Sequence, residues 1–114
     1  MQLLMFITND VNSVSPILSE LMEKGIGGAT VTDCKGMLTA LNESSVEPPP
    51  IFGSLRKFIN PERESGKMIF MVVEDSELEA VKDVIHDVCG NLSRPNSGIM
   101  FAIPLMWVEG VPRT

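Results

Sequence analysis

The stretch Lys67–Gly90, KMIFMVVEDSELEAVKDVIHDVCG, changes its hydrophobic period part-way, and that change decides the fold. From Lys67 to Glu74 both alternating sets are apolar, Met68/Phe70/Val72 and Ile69/Met71/Val73, which predicts a strand with two apolar faces. The spacing then becomes helical. Leu78, Val81, Val84, Ile85 and Val88 form one stripe, with Asp75 or Ser76 as the expected cap and Gly90 as the stop. Ile99 to Ile103 predicts a strand that closes a strand–helix–strand unit.

The same order appears upstream. Leu3 to Thr8 reads as a strand, and Ser15-Pro16 as a helix cap followed by proline at the first helical position. Val14, Ile17, Leu18, Leu21 and Met22 form the apolar stripe, and Lys24-Gly25 supplies a terminal cation and a glycine stop. Ala29 to Lys35, ATVTDCK, is the second strand, closed by Gly36. Two such units joined by a central segment, Met37 to Gly66, predict a single α+β domain over residues 1–114. The expected architecture is a ferredoxin-like βαββαβ sandwich: a four-stranded antiparallel sheet with two helices on one face.

Two helices cover only one face of such a sheet, yet these strands are apolar on both. Leu3, Met5 and Ile7 oppose Leu4 and Phe6, and Ile99, Phe101 and Ile103 oppose Met100 and Ala102. The uncovered face would hold roughly eight large apolar residues, each worth about 1.5–3 kcal/mol when buried. A monomer does not tolerate such a patch, so a homo-oligomer with sheets packed inward is expected.

Composition narrows the class further. The chain is 44% hydrophobic and 21% charged, a globular balance. A net charge of −6 and a pI of about 4.6 oppose contact with phosphate backbones, so no nucleic-acid partner is expected. Cys34 and Cys89 form no CxxC and read as reduced thiols. The opening MQLLMFITND lacks the basic region and length of a signal peptide. The longest apolar run, Ile99 to Val108, is interrupted by Pro104 and falls short of the about 20 residues that span a bilayer. A cytoplasmic protein without membrane insertion is the expectation, which makes the sequons at Asn42 and Asn91 chance matches.

Three ordered stretches then carry a resemblance. ELMEKGIGGATVTDCKGM (Glu20 to Met37), SGKMIFMVVEDSELEAVKDVIHDVCGN (Ser65 to Asn91) and GIMFAIPLMWVEGV (Gly98 to Val111) together resemble the nitrogen-regulatory PII signalling family over roughly 80 residues. The resemblance implies a ferredoxin-like homotrimer with inward-facing sheets, adenine-nucleotide binding in clefts between subunits, and a long T-loop that engages a target protein. It places Thr30 near the adenine, and Gly36, Met37, Gly90, Asn91, Arg94 and Gly98 around the ligand. AMP, ADP, ATP or cyclic di-AMP is the implied effector. The departures are specific. No tyrosine exists for T-loop modification, Leu38-Thr39-Ala40 replaces the family's Gly and basic-Gln pair, Cys89-Gly90-Asn91 replaces Thr-Gly-Lys, and Trp107-Val108-Glu109 replaces a basic pair.

Each candidate has a plainer reading. Gly36 and Gly90 are also ordinary caps, and Arg94, the one cation of the loop GNLSRPNSG, is also a solvated loop residue. In the central segment, Ile51, Phe52, Leu55, Phe58 and Ile59 recur at helical spacing around Arg56 and Lys57. That stripe would pack on the trimer itself, or on a target protein or membrane transporter. Catalysis finds little support. His86 shares a polar face with Lys82, Asp83 and Asp87, and Asp10 and Asp33 are the carboxylates available to an enzyme. His86 and Cys89 lack a third metal ligand. The function expected is a non-enzymatic PII-like regulator. The alternatives are a CutA-like metal-responsive trimer and a constitutive interaction module.

Overall fold

The computed structural model describes residues 1–43, 65–93 and 98–110. Strand β1 (Gln2–Thr8) leads into a single 3-10 turn at Val11–Ser13 and then helix α1 (Val14–Glu23). The turn is built by Asp10. Its side chain accepts from the Asn12 N–H at 3.2 Å, and its carbonyl accepts from the Ser13 N–H at 3.1 Å and the Ser13 hydroxyl at 2.7 Å. The helix therefore starts two residues before the expected Pro16, with Ser13 and not Ser15 at the cap position. Pro16 is tolerated there because a first-turn N–H has no partner inside the helix.

At its far end α1 closes in a Schellman arrangement. The Ile26 N–H donates to the Leu21 carbonyl at 2.9 Å, the Gly25 N–H donates to Met22 at 3.0 Å, and Gly25 takes a φ of +74°. Ile26 drops into the core, so this stop is fixed by packing as well as by hydrogen bonds. Met22, expected on the buried stripe, is exposed. Each residue rotates the helix by about 100°, which carries Met22 a quarter-turn past Leu21 and out of the buried arc.

Strand β2 (Thr30–Lys35) is followed, after Gly36, by helix α2 (Met37–Glu43). Strand β3 (Ser65–Val73) begins earlier than the expected Lys67. The central segment expected at 37–66 therefore loses its two ends to regular structure. A second 3-10 turn, Asp75–Glu77, enters helix α3 (Leu78–Cys89), and strand β4 (Ile99–Pro104) ends the domain. Here the Glu74 N–H donates to the Glu77 carboxylate at 3.1 Å, so the stop of the strand and the start of the helix share one capping contact. Neither Asp75 nor Ser76 is the cap.

The sheet order is β2-β3-β1-β4, and every neighbouring pair is antiparallel. Leu4 and Phe6 of β1 pair with Met71 and Ile69 of β3 on the face that carries the helices. With Val73 they form one core with Val14, Ile17 and Leu21 of α1 and Val81, Val84 and Ile85 of α3. Leu78 and Val88 complete the expected α3 stripe, and Leu18 that of α1, from half-buried positions. The result is an α+β domain with a four-stranded antiparallel sheet, compatible with the expected sandwich and with α2 as an added element. No helix among the described residues is long and apolar enough to cross a membrane.

The other face carries a three-by-three apolar grid. The rows are Val72–Leu3–Ile103, Phe70–Met5–Phe101 and Met68–Ile7–Ile99. Strand β2 extends it with Thr30, Thr32 and Cys34. Ile99, Phe101 and Ile103 are 40–55% exposed within this chain.

Candidate functional site

The register gathers loop ends at one end of the sheet. Thr8 pairs with Lys67, Ile7 with Ile99, and Lys35 with Ser65, so β1 and β2 finish where β3 and β4 begin. Cys89, the last residue of α3, reaches the same end through its hydrogen bond to Ser13. Gly36 and Met37 follow β2, Gly90 and Asn91 follow α3, and Gly98 precedes β4, so all five lie at this end of the sheet. Thr30 does not. It opens β2 at the opposite end, on the uncovered face beside Phe70. Arg94 and the stripe Ile51, Phe52, Leu55, Arg56 and Phe58 lie outside the described residues.

Within this end the glycines separate by edge. Gly36 follows β2 at one margin of the sheet, and Gly98 precedes β4 at the other. Three strand spacings place them about 14 Å apart. One phosphate cannot bridge that span within a single protomer. Gly98 takes a φ of +110°, and a Cβ there would lie 2.7 Å from the Ile7 carbonyl oxygen and 3.1 Å from the Phe6 ring. Its side-chain-free backbone is thus required by β1 packing, whatever else it does. Gly90, with φ at +76°, ends α3 by donating its N–H to the His86 carbonyl at 2.8 Å. The Asn91 carboxamide oxygen accepts from the Ser93 N–H at 2.9 Å, which starts the following turn.

Sequence reasoning missed Gly66, whose position before an apolar run marks it only as a strand boundary. It sits inside β3 opposite Cys34, where a Cβ would lie 2.2 Å from the Thr8 carbonyl oxygen. The end of β1 is thus pressed between two glycine positions, Gly66 and Gly98.

The polar groups at this end are mostly occupied with one another. Lys67 pairs with Asp33 across β2 and β3, which engages one cation with one of the two carboxylates considered for catalysis. The Thr8 hydroxyl, buried, accepts from the Asp10 N–H at 3.0 Å. Cys89 sits beside Ser13 and Asp10 in an arrangement that superficially resembles a nucleophile with partners. Burial pushes its thiol above the ordinary value of 9.0, the Ser13 hydrogen bond draws it back, and the Asp10 charge raises it again. A thiol so shifted is a poorer nucleophile at neutral pH. His86 is exposed on α3, as expected of a solvated residue. Among the described residues no three His, Cys, Asp or Glu side chains are grouped to hold a metal ion.

Across the helices, Glu20 of α1 meets Asp87 of α3. The Asp87 hydrogen bond, with a little desolvation and the charges of Asp87 and Glu23, holds the Glu20 carboxyl above its ordinary value of 4.5, while Lys24 lowers it. This pair lies on the exposed face of the helix layer.

Comparison with known proteins gives no match to any family model and none to any curated protein.

Proposed function

We propose that the chain is a non-enzymatic PII-like regulator, a ferredoxin-like protomer of a homotrimer whose uncovered sheet faces point inward. An adenine nucleotide is its effector, and residues 37–66 contact a target protein. The observation that carries this reading is the split of the candidate ligand residues between two sheet edges. Gly36 and Met37 follow the β2 edge, whereas Gly98 precedes the β4 edge. A cleft between two protomers that brings one copy's β2 edge to the next copy's β4 edge unites what a single protomer holds apart. Two sheet edges of different strands in one chain suit a head-to-tail ring. The uncovered apolar grid supports the same assembly from a second side.

The test is a thermal-shift titration of the purified protein with AMP, ADP, ATP, cyclic di-AMP and, separately, divalent metals. A nucleotide acting as effector raises Tm with concentration, by linkage to the folded state. A metal response without a nucleotide response replaces the effector class. No response to either leaves a constitutive interaction module, and the regulator reading fails.

A further inference from the structure

Beyond β4 the chain stays beside the sheet for one more residue, with the Leu105 N–H donating to the Met1 carbonyl at 3.0 Å, and then bends at Met106. The next two side chains stand in water. Met106 is fully exposed and Trp107, the sole tryptophan, is 75% exposed. A large aromatic ring held in solvent three residues beyond a strand whose Ile99, Phe101 and Ile103 are themselves exposed is a strong interface signal.

Charge selects the occupant. The uncovered face consists of Leu3, Met5, Ile7, Met68, Phe70, Val72, Ile99, Phe101 and Ile103, with Thr30, Thr32 and Cys34 along β2, and none of these is an acidic or basic residue. The strand charges, Asp33, Lys35 and Lys67, lie on the other side, as their alternation with Val31 and its buried partner Ile69 shows. A chain of net charge −6 repels its own copies through most of its surface. An uncharged face is where two copies meet without that cost, whereas a basic partner would find no carboxylate there to pair with.

Area then requires more than the face. Three strands about 4.8 Å apart and five residues long at about 3.4 Å each cover on the order of 250 Å² in plan. A stable interface takes about 800 Å² from each partner. One aromatic side chain buries about 150–250 Å², so Trp107 with Met106 adds area that the face alone lacks.

We infer that Met106 and Trp107 form a strap that extends the sheet-face contact onto a second copy of this chain. The inference rests on the oligomeric part of the proposal above and not on its nucleotide. The experiment follows Trp107 fluorescence and acrylamide quenching alongside sedimentation over a dilution series of the full chain, and sedimentation alone for W107A. The expected result is a blue-shifted, shielded Trp107 in the assembled species and at least a tenfold weaker assembly in W107A. An assembled species with a water-exposed Trp107 and unchanged W107A assembly overturns the strap and leaves the sheet packing standing. A monomer at every concentration overturns both. F101E supplies the cross-check. Loss of assembly with Trp107 returned to water supports a strap that works through the sheet contact, and persistent assembly with a shielded Trp107 overturns that seat.

Discussion

The two faces of the sheet carry similar residues and have opposite fates. On one, Phe6, Leu4, Ile69 and Met71 are sealed beneath two helices; on the other, Met5 and Phe70, one residue out of phase in the same strands, are only half-buried, and Phe101 of β4 is exposed. Strand chemistry therefore does not distinguish inside from outside here. What does is the handed return of α1 and α3 to a single face, which leaves the second face to be covered from elsewhere. The difference teaches that apolar patterning specifies how much surface must be hidden, and topology specifies which part of it a single chain can hide.

The largest test of this contrast uses one residue type on both faces. Phe6→Ala should destabilise the protein by about 3–5 kcal/mol, or roughly 15 °C or more in thermal midpoint, because it opens a cavity among fully packed neighbours. Phe101→Ala should cost less than about 1 kcal/mol in a dissociated protomer, since its ring is partly in water already. Its effect should grow with protein concentration if the face is covered by another copy. Equal, concentration-independent losses at the two sites would break the comparison.

Gly98→Ala comes next, at about 1–3 kcal/mol, for a non-glycine residue forced to positive φ against the Ile7 carbonyl. Chemical denaturation measures it. Glu77→Ala should cost about 1 kcal/mol by removing the acceptor of the Glu74 N–H, and helix-capping losses of this size are resolved by the same method. The smallest effect lies on the helix layer. Because the folded state holds the Glu20 carboxyl above 4.5, it binds more protons than the unfolded chain between 4.5 and that raised value. Stability from this pair is present at low pH and is lost as pH rises through the window. Glu20→Gln should therefore raise the thermal midpoint slightly at neutral pH, and the gain should vanish below pH 4.5 in melts across a pH series.

The strands were legible as short apolar runs, and the two main helices because each has one apolar stripe and a glycine at its end. Helix α2 was not. MLTALNE has no sustained stripe and no capping side chain, and Gly36 before it reads as a strand stop. The 3-10 turns escaped because they depend on Asp10 and Glu77 reaching backbone groups, a geometry without a sequence period. At the candidate site, the glycines were legible as turn positions, but their division between sheet edges depends on strand order and became visible only with the register. Gly66 was hidden for a related reason: its neighbour is Thr8, from a distant part of the chain.

The strand order has one more consequence, for how the chain acquires its structure. Strands β1 and β2 are joined by α1 but do not touch, because β3 lies between them. In an emerging ribosomal product that ends before residue 65 the two described strands, β1 and β2, thus lack their sheet partners, and the first waits for both later ones. Non-local pairing of this kind slows folding and leaves the early half dependent on the late half, so a fragment holding only the first strand–helix–strand unit should stay unfolded until the second is supplied in trans.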